Sequence, residues 1–364
     1  MILHFYFARR FFWTFAGIFS VFAVLLALID LIKDLQDFPD LPFGNIVEIT
    51  LLNAPHANYE ILPLIIILSS VALFLRLARS SELVVVRASG RSAMRTLIAP
   101  VAVASLIGLI GVTLLNPVVA AASKRHNDLV SSQMGNGGLT VLAIAIEGLW
   151  LRQGSDSGQT VIHAERASSD FSVLYNTTFL SFSPAGDPIH RISAAEAHLT
   201  RGEWRLSDAK QWDLSSDENP EAAAIAATTL AVPSELTQDR IADSFGRPEY
   251  VSIWNLPGYI RQLEDSGFSA RRYAVWFQME LARPLFLTAL VILAASFTMR
   301  HTRLANTGVS VLVAIMLGFG LHYIRNFAQI LGENGQIPVL LAAWAPPVAS
   351  FLLAVGILLH MEEG

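Results

Sequence analysis

A stretch of roughly 22 residues from Phe11 to Ile32 is strongly apolar, with Asp30 its one charged residue, and a helix needs about 20 apolar residues to cross the hydrocarbon core. Leu97 to Ala122 and Val339 to Leu359 have the same character. Three weaker runs, near Ile61 to Leu77, Pro284 to Met299 and Val309 to Ile324, hold only about 15 or 16 strongly apolar residues each. Spans that short must thin the bilayer, snorkel their flanking charges, or pack polar turns against protein. The chain is 53% hydrophobic and 15% charged, with a mean hydropathy of +0.49, a charge deficit that points to lipid. Arg9 and Arg10 before the first run resemble the start of a secretory signal. The apolar part of a signal is only about 7 to 15 residues long, so this run reads as an uncleaved first span.

Lysine and arginine in short loops set orientation. Arg76, Arg79, Arg87, Arg91 and Arg95 follow the second run, Arg300 and Arg303 follow the fourth, and all should face the cytoplasm together with Arg9 and Arg10. Asp34, Asp37, Asp40 and Glu48 follow the first run and fall on the other side. Six spans return both termini to the cytoplasm. The stretch 123–272 contains no span and, by parity, lies outside. It shows strand alternation at Leu142, Ile144 and Ile146, in Val161 to Ala164 and in Ala195 to Leu199. The turn Thr200-Arg201-Gly202-Glu203 then leads into Trp204-Arg205-Leu206, a hairpin pattern. Short strands with regular turns favour a sandwich or roll. The expected architecture is a polytopic α-helical membrane protein with six transmembrane helices (3+3) and an inserted extracytoplasmic all-β domain. Its units are 1–122, 123–272 and 273–364.

Several chemistries are excluded. A P-loop needs Gly-Lys-Ser/Thr, and the only lysines, Lys33, Lys124 and Lys210, follow Ile32, Ser123 and Ala209. No His-Glu-x-x-His or Gly-x-Ser-x-Gly motif is present, so neither a metal site nor a serine nucleophile is expected, and no cofactor is implied. The absence of cysteine excludes disulfides and thiolate chemistry. A net charge of -5 and a pI near 6.0 argue against nucleic acid.

What remains is charge at membrane edges. Lys33, Lys124, Arg125, Arg271, Arg272 and Arg325 all fall near the outer interface, where the orientation rule predicts no enrichment. One reading is a ring of snorkelling side chains; the other is a site for an anionic headgroup, with arginine forks on phosphate oxygens. Asp30, Glu60 and Glu280 are candidate partners for these cations. The second feature is a short helix within about 80–94. Ser80 or Ser81 caps it, Glu82 suits its positive end, and Gly90 stops it. Leu83, Val86 and Arg87 would share a face, either lying in the headgroups or docking a cytoplasmic protein.

The segment Arg79-Ser80-Ser81-Glu82-Leu83-Val84-Val85-Val86-Arg87-Ala88-Ser89-Gly90 resembles the stretch between the second and third spans of the lipopolysaccharide-export permeases of diderm bacteria. Gly148-Leu149-Trp150, Trp204-Arg205-Leu206-Ser207 and Arg272-Tyr273 with Trp276 match in the same order. Glu82, the Arg-Ala-Ser-Gly ending and Asp30 favour the LptG type over its LptF paralogue. The resemblance implies a periplasmic β-jellyroll, an LptF-type partner, a cytoplasmic ATPase dimer, a single-span LptC-type protein beside the first span, and a periplasmic LptA-type bridge. It makes the 80–94 helix the ATPase-coupling helix, with Glu82, Arg87, Leu83 and Val86 as its residues. It places lipopolysaccharide phosphates near Lys33, Lys124 and Arg125. Two rivals remain: a lipoprotein-release type of permease, which usually carries its large domain after the first span rather than the third, and a sensor or assembly factor that transports nothing.

Overall fold

A computed structural model describes the chain except for residues 1, 81, 83–85, 87–92, 134–138, 146–147, 156–157, 169–171, 185, 216–218, 222–223, 235, 237–246, 266–268, 300–306 and 364. Among the described residues, six helices are long and apolar enough to cross a membrane, and an antiparallel sheet domain is inserted between the third and fourth. The chain divides into two compact units: 1–129 with 249–256 and 271–364, and 130–248 with 257–270.

In the first unit, α1 runs from Ile2 to Asp37, well beyond the apolar run that announces it. Helices α2 (Phe43–Glu60) and α3 (Leu62–Arg79) follow, broken at Ile61. The break has a local cause. Pro63 has no N–H to return to the Tyr59 carbonyl, so the helical ladder cannot close there. The third span consists of α4 (Ala93–Ile110), a π-helical turn at Gly111–Leu115, and α5 (Asn116–Gln133). A second proline acts here: Pro117 cannot donate to Thr113, and the indole Nε1 of Trp254 donates to that carbonyl instead, at 3.2 Å. Asn116, itself buried, accepts the Ile253 N–H at 2.8 Å. π-turns of this kind cluster at functional positions.

Arg271–Thr298 forms α7, Thr307–Glu333 α8 and Val339–Glu363 α9; Leu256–Asp265, in the other unit from Pro257 on, is α6. The centre of the membrane unit is α7, which packs against α3, α4, α8 and α9. Phe286, Leu287, Leu290 and Leu293 are buried there with Ile66, Phe74 and Leu77 of α3. Close approach is bought with small residues: a Cβ on Gly108 of α4 would stand 2.7 Å from the Pro284 Cα.

In the second unit, β1 (Leu139–Ala145), β2 (Gly148–Ser155), β3 (Gly158–Ala167), β4 (Val173–Phe182), β5 (Pro188–Thr200), β6 (Glu203–Asp213) and β7 (Ile225–Pro233) form one antiparallel sheet in chain order. The expected hairpin is present: Thr200 pairs with Glu203 across Arg201-Gly202, and Gly202 has φ +90°, a conformation that suits glycine. One face is buried by successive cross-strand neighbours, Leu151 opposite Ile162, Ile162 opposite Phe179 and Phe179 opposite Ile192. The sheet curls on itself. The Ser234 hydroxyl, just past β7, donates to Gln153 Oε1 on β2 at 2.9 Å. The enclosure is roll-like, while the strand order is a meander.

Candidate functional site

The six cations expected near the outer interface differ in how they are used. Lys33, near the end of α1, is exposed, and so is Lys124 on α5. Arg125 meets Glu48 of α2 at 3.1 Å, and both side chains are at least half exposed, so that pair contributes little. Arg271 is engaged by the backbone: its Nε donates to Gly332 O at 2.7 Å and an Nη to Ile337 O at 2.6 Å. It therefore satisfies carbonyls at and beyond the C-terminal end of α8. Arg272 is half-buried at the start of α7.

Arg325 stands apart from these surface groups, being buried on α8 with its guanidinium 5.6 Å from the Phe286 ring centroid. It joins a charged cluster that sequence reasoning saw only in part. Glu280, expected as a partner for outer-face cations, is fully buried on α7 and pairs with Arg283 one turn along. The Tyr59 hydroxyl also donates to Glu280, and the Arg283 guanidinium lies 4.0 Å from the Tyr59 ring centroid. Arg283 Nη1 donates to the Tyr59 carbonyl at 3.1 Å, the carbonyl that Pro63 leaves without a helical donor. Glu280-Leu281-Ala282-Arg283 has the spacing of an intrahelical ion pair, and that was the available signal. Asp30 accepts a hydrogen bond from Asn53 at 3.0 Å, while Glu60 is exposed.

At the other end of the unit, α3 terminates at Ser80, with Arg76 and Arg79 in its last turn suiting the negative end of the helix dipole. Of the expected coupling residues, Leu83 and Arg87 lie outside the described residues. Val86 is buried in the chain's own apolar core. Glu82 is surrounded by donors. Arg10 Nη1 reaches Oε1 at 2.7 Å and Oε2 at 2.6 Å, the Tyr6 hydroxyl donates to Oε2 at 3.0 Å, and the Ser80 hydroxyl to Oε1 at 2.7 Å. Partial burial pushes the Glu82 carboxyl up, but these hydrogen bonds and the Arg10 charge outweigh it and hold the group below the ordinary carboxylate range. Its contribution is present at neutral pH and is lost only as pH falls through that lowered value.

A profile described as "Lipopolysaccharide export system permease LptF/LptG" matches residues 5–360. The "Lipopolysaccharide export system permease protein LptG" of Escherichia coli (strain K12) is 24% identical over 323 residues, covering 85% of this chain and 84% of the relative. The protein of the same description from Haemophilus influenzae (strain ATCC 51907 / DSM 11121 / KW20 / Rd) is 23% identical over 311 residues, covering 85% and 83%.

Proposed function

The chain belongs to the lipopolysaccharide export system permease LptF/LptG family, and from that premise we infer how its geometry serves export. It is a permease subunit for lipopolysaccharide export, a multi-pass protein of the inner membrane that works within a transport complex. A permease subunit is not itself an enzyme. Hydrolysis of ATP belongs to a separate cytoplasmic dimer, which receives the coupling helix at 80–94, with Glu82, Arg87, Leu83 and Val86 as the residues that transmit its closure. Both termini lie in the cytoplasm and the β-domain, about 123–272, in the periplasm, a placement favoured by the arginine-rich loops.

One observation carries the mechanism: α1 presents an exposed apolar flank, including Val21, Leu25, Leu28 and Ile32, that runs directly to the exposed ammonium of Lys33. That order, apolar wall then cation, complements an amphiphile whose acyl chains sit in the bilayer and whose phosphates sit at its edge. Each buried CH₂ is worth about 0.8 kcal/mol, so a chain of about a dozen carbons resists extraction by roughly 10 kcal/mol. A lateral opening between this chain and an LptF-type paralogue keeps those chains shielded while Lys33, Lys124 and Arg125 hold phosphate. Arg272 lies at the rim. Arg271 supports it through the α8 end, and Arg325 adds positive charge from within the protein. Closure of the ATPase dimer then drives the lipid towards the β-domain and an LptA-type bridge. The exposed flank of α1 also provides the surface for a single-span LptC-type helix.

Two substitutions test this reading. Lys33→Asp should lower photocrosslinking of lipopolysaccharide to the complex by roughly tenfold, the loss of one charge-assisted contact of about 1.5 kcal/mol. Equal yields before and after would remove Lys33 from the site. Glu82→Arg should sharply reduce co-purification of the ATPase while the β-domain keeps its resistance to proteolysis; unchanged recovery of the ATPase would sink the docking assignment.

A further inference from the structure

The first helix buries side chains in the core at one end only, among those described. Among its described side chains, only Phe7 and Phe11 are buried, one turn apart, and Arg10 lies beside them. At 36 residues α1 is about 54 Å long, so its packed part is a small fraction of its length. Towards the far end, Asp34 accepts from the Thr50 hydroxyl at 2.7 Å and Asp30 from Asn53 at 3.0 Å, tying the helix to α2 near Lys33.

The buried end meets Glu82. A carboxylate offers about four acceptor positions, and here Arg10 takes two, Tyr6 one and Ser80 one. The Arg10 guanidinium also lies 5.4 Å from the Tyr6 ring centroid and donates to the Tyr6 hydroxyl. With side-chain exposures of 17% and 31%, the Arg10–Glu82 pair is withdrawn from water far more than the Arg125–Glu48 pair. Its charge-assisted bonds should therefore outweigh those of an exposed pair. Ser80 is the C-cap of α3, so the same carboxylate joins α1, the end of α3 and the start of the following segment.

We propose that Arg10, helped by Tyr6 and Ser80, is a positioning residue that clasps the Glu82 carboxylate, so that α1 and Glu82 move together. The inference rests on the reading of Glu82 as the start of the coupling helix, and it adds the route. Glu82 uses its acceptors inward, and a push on it is delivered to α1. The stiff helix carries that push to the Lys33 end, where the lipid headgroup would be held. A joint without the clasp would let the coupling segment move while α1 stayed in place, and ATP would be spent without moving lipid.

The test uses the complete complex in proteoliposomes containing lipopolysaccharide, measuring ATPase co-purification, ATP hydrolysis, and lipopolysaccharide released per ATP. Arg10→Gln removes the charge and draws the side chain back by two atoms; it should retain the ATPase and lower release per ATP roughly tenfold. A single nitrogen, Nη1, reaches both carboxylate oxygens, so an ammonium can replace it, and Arg10→Lys should keep at least about half of the wild-type ratio. A wild-type ratio in Arg10→Gln overturns the clasp. So does a ratio in Arg10→Lys as low as in Arg10→Gln, because then the side chain's shape rather than its charge matters. Loss of the ATPase from Arg10→Gln also overturns it, since the clasp acts after docking. If Arg10→Gln does not accumulate, Tyr6→Phe, which removes one donor to Oε2, should lower the ratio by about threefold, and an unchanged ratio then overturns the clasp. Glu82→Arg is the separate arm: ATPase retention there removes the docking reading and leaves the Arg10 result to stand by itself.

Discussion

Arg283→Met should destabilise the membrane unit by about 3–5 kcal/mol, read as an earlier transition in SDS titration or thermal denaturation in detergent. Glu280 is fully buried and Arg283 nearly so, and the substitution leaves a carboxylate without its cation in a place water does not reach. The damage extends to a second helix. The Tyr59 carbonyl loses its Arg283 donor, and Pro63 has no N–H with which to replace it. Removing both charges separates the causes. Glu280→Gln with Arg283→Met should recover much of the loss, because an ion pair in a dry site is costly to break from one side and much less costly to delete whole. A single mutant as stable as the parent would mean that the pair contributes nothing to packing α7 against α2.

Trp204→Ala should cost the β-domain about 3–5 kcal/mol, measured as faster proteolysis of the sheet in the full-length protein. Trp204 is fully buried on β6, its ring edge-on to Phe179 at 6.2 Å between centroids. Trp204→Phe should be much milder, near 1 kcal/mol. The indole N–H is buried with no hydrogen-bond partner among the described residues, so phenylalanine removes an unsatisfied donor together with the lost ring volume. Equal losses for the two variants would contradict this account.

The apolar runs were legible because bilayer thickness imposes a length, and each run falls on one of the six candidate helices, with Ile61 and Met299 one residue outside theirs. The three short runs show what was hidden. Pro284 to Met299 reads as a marginal span because the preceding turn contains Glu280 and Arg283. Those charges are accommodated against Tyr59 rather than at the bilayer surface, so α7 continues back to Arg271. Likewise α8 continues through Arg325 to Glu333. Polarity satisfied inside a protein looks, in one dimension, the same as polarity that ends a span. The candidate sites divide along the same line. Glu82 was legible as a candidate coupling residue, whereas Arg10 lies 72 residues earlier on another element, and no local pattern joins them. The use of Arg271 on carbonyls 61 and 66 residues away was equally out of reach.

The two helix breaks have a consequence for which exchanges the membrane unit tolerates. Hydrocarbon offers no donor to a bare carbonyl, so Pro63 and Pro117 each create a vacancy that a distant side chain fills, Arg283 for one and Trp254 for the other. Proline and donor are thus one unit of inheritance written in two places. Drift that restores an amide hydrogen at either proline would set that hydrogen in competition with its long-range substitute and loosen a tertiary contact by repairing a local one.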